Sequence, residues 1–198
     1  TVGDAATLQS IAQTAGDFTV KLTQGITLTS EIVVTNGCTL RLQSNKENTR
    51  RTISLGTLPE SVKTSGMCMF RVDGLEKNQL IIGTASGKYP VTLDGKKQPH
   101  NGFMIYNSTW AGTANAYRSV VRIRPGTILR NNVMYFDSAS AVNGASGSAV
   151  CNYGTLYLEG GTIQDNSFLG KAGAKVGEGA GIANYNKFYM SGGEIKGN

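Results

Sequence analysis

The chain carries very little of what metal or nucleophilic chemistry requires. It has one histidine, His100, and three cysteines, Cys38, Cys68 and Cys151. Thiols so few and so far apart give neither a disulfide framework nor the paired spacing of a zinc site. Cys38 and Cys68 alternate with Leu40 and Phe70, which is the setting of small buried hydrophobes. His100 lies in the string Gln98-Pro99-His100-Asn101-Gly102 and is expected in a surface turn with no catalytic partner. No apolar run is long enough to cross a bilayer, so no membrane insertion is expected. The 13 acidic residues are scattered, and Asp73, Asp94, Asp137, Glu159 and Asp165 read as turn and surface groups. That leaves no cluster of oxygen ligands for a hard cation and no facing carboxylates for glycoside hydrolysis. No cofactor or metal is therefore expected. Proline is scarce, at 4 residues, and helical periodicity is missing after residue 16.

Glycine is abundant, at 26 residues, and with so few prolines it favours many tight corners over a disordered linker. Those corners recur. Residues 149–166 match residues 181–198 at a constant shift of 32 positions (149 to 181). Asn152, Tyr153, Tyr157, Gly160, Gly161, Ile163 and Asn166 reappear as Asn184, Tyr185, Tyr189, Gly192, Gly193, Ile195 and Asn198. A weaker copy lies 35 positions upstream (126 to 161), with Val121, Ile123, Gly126, Thr127, Ile128 and Asn131 at the places of Leu156, Leu158, Gly161, Thr162, Ile163 and Asn166. A repeat of this period means units that bury their apolar faces only by stacking on their neighbours.

Within the unit, Leu156-Tyr157-Leu158 and Phe188-Tyr189-Met190 alternate with the period of a strand. The Gly-Gly that follows turns a corner, and Ile163 or Ile195 opens the next short strand. Val121, Leu156 and Phe188 are predicted to form one internal column, and Ile128, Ile163 and Ile195 another. Asn131, Asn166, Asn198, Asn152 and Asn184 fall at corners where an amide can bond to the copy above it. The fold class is therefore all-β, a single-stranded parallel β-helix.

The rest of the chain fits that scheme. Asp4 caps a predicted helix over residues 5–15, with Leu8, Ile11, Ala12 and Ala15 on one face and Gly16 closing it. Such a helix covers the end of a β-helix, which would otherwise recruit other chains. Strands are expected at Phe18–Leu22, Ile26–Leu28, Ile32–Val34, Cys38–Leu42, Met67–Val72, Leu80–Ile82, Val91–Leu93, Phe103–Tyr106 and Ser119–Ile123, with Arg50-Arg51 and Lys96-Lys97 in charged loops. Residues 1–198 read as one domain. Ser138–Ser148 and Gly170–Gly179 are expected to be loops inserted into successive units. Because the chain stops on the last residue of a repeat, it is expected to be a piece of a longer protein.

The string Asn-Tyr-Gly-Thr-Leu-Tyr-Leu-Glu-Gly-Gly-Thr-Ile-Gln-Asp-Asn at residues 152–166, with its copy, resembles the right-handed parallel β-helix repeats of bacterial surface proteins. The broader group is the pectate-lyase-like superfamily, and the clear resemblance spans about residues 117–198. It implies a secreted or cell-surface location and an adhesin-like or glycan-binding role. Function is not fixed by such a scaffold.

Charge supplies the chemical lead. The net charge is +6, so acidic partners are favoured. In Arg118-Ser119-Val120-Val121-Arg122-Ile123-Arg124 the arginines sit at even positions, so an inward Val121 and Ile123 place Arg118, Arg122 and Arg124 on one outer face. Alternate residues lie roughly 6.6 Å apart on a strand, a spacing that suits acidic groups along a polymer. A merely solvated face is the competing account. Tyr157 and Tyr189 flank inward residues and are expected to stack outside, where aromatic rings can meet sugars. Tyr106, Trp110, Tyr117, Tyr135, Tyr153 and Tyr185 are the other candidate aromatics. Arg122, Arg124 and Arg130 around Pro125 are similar to the Arg-x-Pro-x-x-Arg motif of pectate lyases but depart from its spacing, and a polysaccharide lyase is the alternative function. Nucleic acid is disfavoured, because no basic stretch is interleaved with aromatics. The expected partner is a glycan or a host surface protein, an acidic one favoured.

Overall fold

Strict alternation of aliphatic and polar residues produces strands here because each strand has one buried face. The computed structural model describes residues 1–59, 67–74, 77–108, 118–136, 148–170 and 179–198. Among the described residues there is one helix, α1 (Ala5–Ala12), followed by strands that pair in parallel. The interiors of the two expected loops, 138–147 and 171–178, lie outside the described residues, as do Trp110, Tyr117 and Asp137.

The chain returns to its sheets in a recurring order. The first strands are β1 (Gly16–Leu22), β2 (Ile26–Leu28) and β3 (Ile32–Val34), and β4 (Cys38–Ser44), β5 (Arg51–Leu55) and β6 (Phe70–Val72) pair with them in parallel or lie in the same sheets. The next circuit is β7 (Gln79–Ile82), β8 (Val91–Asp94), β9 (Pro99–His100) and β10 (Ile105–Asn107), and then β11 (Val120–Ile123), β12 (Thr127–Arg130), β13 (Val133–Phe136) and β14 (Val150–Asn152). The last are β15 (Thr155–Gln164), β16 (Ser167–Gly170), β17 (Ile182–Asn184) and β18 (Lys187–Lys196). A 10-stranded sheet has two arms, β1-β4-β7-β11 and β2-β5-β8-β12, that meet in β15, against which β18 pairs. A 5-stranded sheet, β3-β6-β10-β14-β17, and a 3-stranded sheet, β9-β13-β16, complete the set.

One aliphatic core runs inside the sheets, from Val2 and Leu8 through Leu40, Leu80 and Val121 to Leu156 and Ile163, each at most 3 % exposed. Each such side chain stabilises the fold by about 1.5–3 kcal/mol. Val121, Leu156 and Phe188 do share one register position, with Phe188 half-buried in the last strand.

The second column needs a correction. Ile163 and Ile195 stack on Leu129, while Ile128 pairs with Thr162 and faces outward, half-buried. The two corners differ in build. Upstream, the Thr127 amide bonds to the Arg124 carbonyl at 3.1 Å across Pro125-Gly126, a separate turn. Below it, Gly160-Gly161 bends a continuous strand, and a Cβ on Gly161 would lie 2.5 Å from Ile123 Cγ2. The extra upstream residue shifts everything after it by one. For the same reason Asn132, not Asn131, joins the corner ladder, and Asn131 takes the left-handed turn position, φ 60. The Asn132 amide donates to Asn166 Oδ1 at 3.0 Å, and Asn166 Nδ2 to Asn198 Oδ1 at 2.8 Å. A second ladder links Asn107 Nδ2 to Asn152 Oδ1 at 2.5 Å and Asn152 Nδ2 to Asn184 Oδ1 at 2.6 Å.

Two further expectations fail locally. Asp4 caps α1 by accepting the Thr7 amide at 2.7 Å, and Leu8 and Ala12 are buried, but the helix stops at Ala12 and Ala15 is exposed. Gly16, at φ 129, instead opens β1 and pairs with Cys38, so strand pairing overrides the last helical turn. Arg51 is not in a loop: it begins β5, and the neighbouring Arg50 guanidinium braces the next circuits, donating to Thr92 Oγ1 at 3.1 Å and the Gly126 carbonyl at 2.9 Å.

Candidate functional site

The outer face of the first arm brings together three of the residues that the sequence singles out, Arg122, Tyr157 and Tyr189. Parallel register sets the outward column Thr19, Arg41, Ile81, Arg122, Tyr157, Tyr189. Arg122 and the two tyrosines are thus consecutive rungs of one ladder. The Arg122 guanidinium carbon lies 3.9 Å from the Tyr157 ring centroid, and the rings of Tyr157 and Tyr189 stack at 5.1 Å and 18°. That separation is close to the roughly 4.8 Å between paired strands, so the backbone pitch itself brings the rings together. Tyr189 remains 50 % exposed.

The arginines are engaged more closely than an open stripe would be. Glu159, from the following circuit, pairs with both: Oε1 with Arg122 Nη1, and Oε2 with Arg124 Nε at 3.1 Å. Arg118 is exposed but precedes β11, and its amide donates to the Gly74 carbonyl at 3.1 Å. Arg130 lies on the other arm and grips Asp94 through Nη2 at 3.0 Å. Glu159 and Asp94 are therefore ion-pair residues and not the simple surface and turn groups expected of them. Burial by itself would raise the Asp94 carboxyl, yet hydrogen bonds from the Lys96 amide, Asn131 and Arg130 outweigh it and hold the group below its ordinary value.

A second aromatic ladder runs beside the first, and sequence reasoning did not place it as a site. Tyr153 and Tyr185 stack at 4.5 Å and 9°, with Tyr106 edge-on to Tyr153 at 6.1 Å and Phe103 against Tyr106 at 5.3 Å. Lys187 lies exposed between Tyr185 and Tyr189. The repeated Asn-Tyr pairs were the available signal for this ladder.

No protein family, curated protein or solved structure matches the chain.

The reactive groups elsewhere are inert or structural. His100 is fully buried, contrary to the surface-turn expectation, because Pro99–His100 pairs with Val133–Met134 and turns the imidazole inward. Its Nδ1 lies 3.0 Å from the Gln98 carbonyl, and burial lowers its pKa. The three cysteines are buried and unpaired, and burial pushes the Cys38 thiol up to about 11 and the Cys151 thiol up to about 12. Cys68 is raised too, by burial first and then by the Glu31 charge. None of these thiols is a ready nucleophile. Among the described residues, no group of three or more His, Cys, Asp or Glu converges as a metal site, and no helix is long and apolar enough to cross a membrane.

Proposed function

We propose that this chain is a non-catalytic binding domain displayed outside a bacterial cell, and that it recognises a glycan or an acidic patch on a host protein. The ligand meets the outer face carrying Arg118, Arg122, Arg124, Tyr157 and Tyr189. One observation carries the reading: Arg122, Tyr157 and Tyr189 form a continuous cation–aromatic column that ends in a half-exposed ring. The rigid strands hold these groups in place, so little entropy is lost on binding. A sugar's apolar face stacks on the ring while its polar groups reach the guanidiniums. The net charge of +6 favours acidic ligands.

The scaffold is read as one domain, a single right-handed parallel β-helix of the pectate-lyase-like kind. Parallel crossovers are right-handed in about 98 % of cases, which supports the hand. An experimental structure with left-handed circuits would overturn it.

The functional test is a binding panel of immobilised hyaluronan, chondroitin, alginate and pectin. At least one is expected to bind, and Tyr189→Ala is expected to weaken that binding about fivefold to tenfold while the protein stays folded, its stability lowered by no more than about 1 kcal/mol. No binding across the panel refutes the glycan as partner, and a Tyr189→Ala variant that binds as well as the parent refutes the role of this face. Release of unsaturated product in the presence of Ca²⁺ would make the chain a lyase, with Arg122, Arg124 and Arg130 as candidate bases.

A further inference from the structure

Arg122 and Arg124 face outward, yet their charge is already met from within the molecule. Both oxygens of Glu159 are used, one on each guanidinium, in the way a ligand's carboxylate or sulfate would use them. The three side chains are 28 %, 28 % and 25 % exposed, so the fork can be reached from solvent. Opposite Glu159 in the next strand stands Gly192, which has no side chain to cover the carboxylate. Arg122 is also held over the Tyr157 ring, so it cannot swing away without breaking a second contact. An acidic group arriving at this face therefore meets two arginines and one carboxylate, a net single positive charge in place of two.

We infer that Glu159 sets the ligand charge this face accepts. It acts as a built-in acidic competitor that a uronic or sulfated sugar must displace before it gains Arg122 and Arg124. The inference rests on the glycan reading above and adds the residue that tunes it. In this arrangement a neutral sugar gains the aromatic column without disturbing Glu159. A strongly acidic one gains the arginines only by opening the fork. Removing the Glu159 charge while keeping its shape strengthens acidic ligands and leaves neutral ones unchanged. It also steepens the salt dependence, since two uncompensated cations then meet the polyanion.

The test compares the parent with Glu159→Gln on hyaluronan, alginate and chondroitin sulfate, with neutral dextran alongside, at two salt concentrations. Glu47→Gln supplies the control: it removes the same unit of charge from an exposed carboxylate that pairs with Lys88 and Tyr89, away from this face. A third variant adds Arg122→Gln and Arg124→Gln to Glu159→Gln. The expected result is about a tenfold gain on the acidic polymers for Glu159→Gln. A much smaller gain is expected for Glu47→Gln, no change on dextran, and loss of the gain in the triple variant. Thermal unfolding checks that each variant is folded. If Glu159→Gln gains no more than Glu47→Gln, or the triple variant keeps the gain, the role of Glu159 is overturned while parent binding leaves the glycan reading standing. If neither parent nor Glu159→Gln binds any polymer, the glycan reading fails and this inference falls with it.

Discussion

The circuits around β1–β6 and those around β10–β18 share two sheets but hold their corners with different chemistry. A single column makes the contrast plain: Val34, Val72, Asn107, Asn152 and Asn184 occupy one register position through the 5-stranded sheet. The first two rungs are aliphatic and the last three are amides bonded to one another. Outside, the early circuits carry isolated ion pairs such as Arg41–Asp17, whereas the later ones carry tyrosine ladders. An aliphatic column accepts Val, Leu or Ile at any rung, since only volume and burial matter. An amide rung must donate to one neighbour and accept from the other, and only Asn here fits. The later circuits therefore repeat visibly in sequence while the early ones do not.

The largest effect should come from the part both regions share. Leu156→Ala removes a fully buried core side chain and is expected to cost about 2–5 kcal/mol in urea unfolding, and Leu42→Ala a similar amount. A cost under about 1 kcal/mol at either place would mean that the two regions do not share one core.

The amide ladder separates the regions more sharply. Asn152 donates to Asn184 at 2.6 Å and to the Lys187 carbonyl at 3.0 Å, and accepts from Asn107 at 2.5 Å. Asn152→Ala is expected to cost about 1–3 kcal/mol through the partners it leaves unmet. Asn184→Ala, at an exposed rung, should cost well under half of that. Equal costs would reduce the ladder to incidental contact.

His100 gives a smaller, pH-dependent effect. Its folded-state pKa is lowered by burial, so the neutral ring is favoured and its stability is present in full above the unfolded value of 6.5. That contribution is lost as pH falls from there toward the lower folded value. Melting temperature should drop between about pH 7.5 and about pH 5.5, and drop less in His100→Gln. An identical pH profile in the two proteins would contradict it.

Smallest of all, Tyr189→Ala should lower stability by only about 0.5–1 kcal/mol, the worth of one stacked pair at a half-exposed rung. A larger loss would make the tyrosine ladder part of what holds the later circuits together.

Strand period, the glycine corners and the capping aspartate were legible because each depends on neighbours within a few residues. Leu156-Tyr157-Leu158 states its own alternation, and Asp4 reaches Thr7 within one turn. The all-β character and the stacking of Tyr157 on Tyr189 follow from that alternation and the 32-residue shift (157 to 189). The rest depended on what stands one circuit away. One extra corner residue moved Ile128 outward and put Asn132 in place of Asn131, because register is set by strand pairing and not by the best match of letters. His100 looked exposed in its own string, yet its partner strand lies more than thirty positions on, and that pairing buried it. Glu159 is separated from Arg122 and Arg124 by a full circuit, and only the parallel stacking of β11 on β15 makes its carboxylate their counter-ion. The sequence by itself determined the period and the outward arginines and tyrosines. The tertiary structure alone decided which charges meet, since an ion pair forms between groups close in space whatever their distance along the chain.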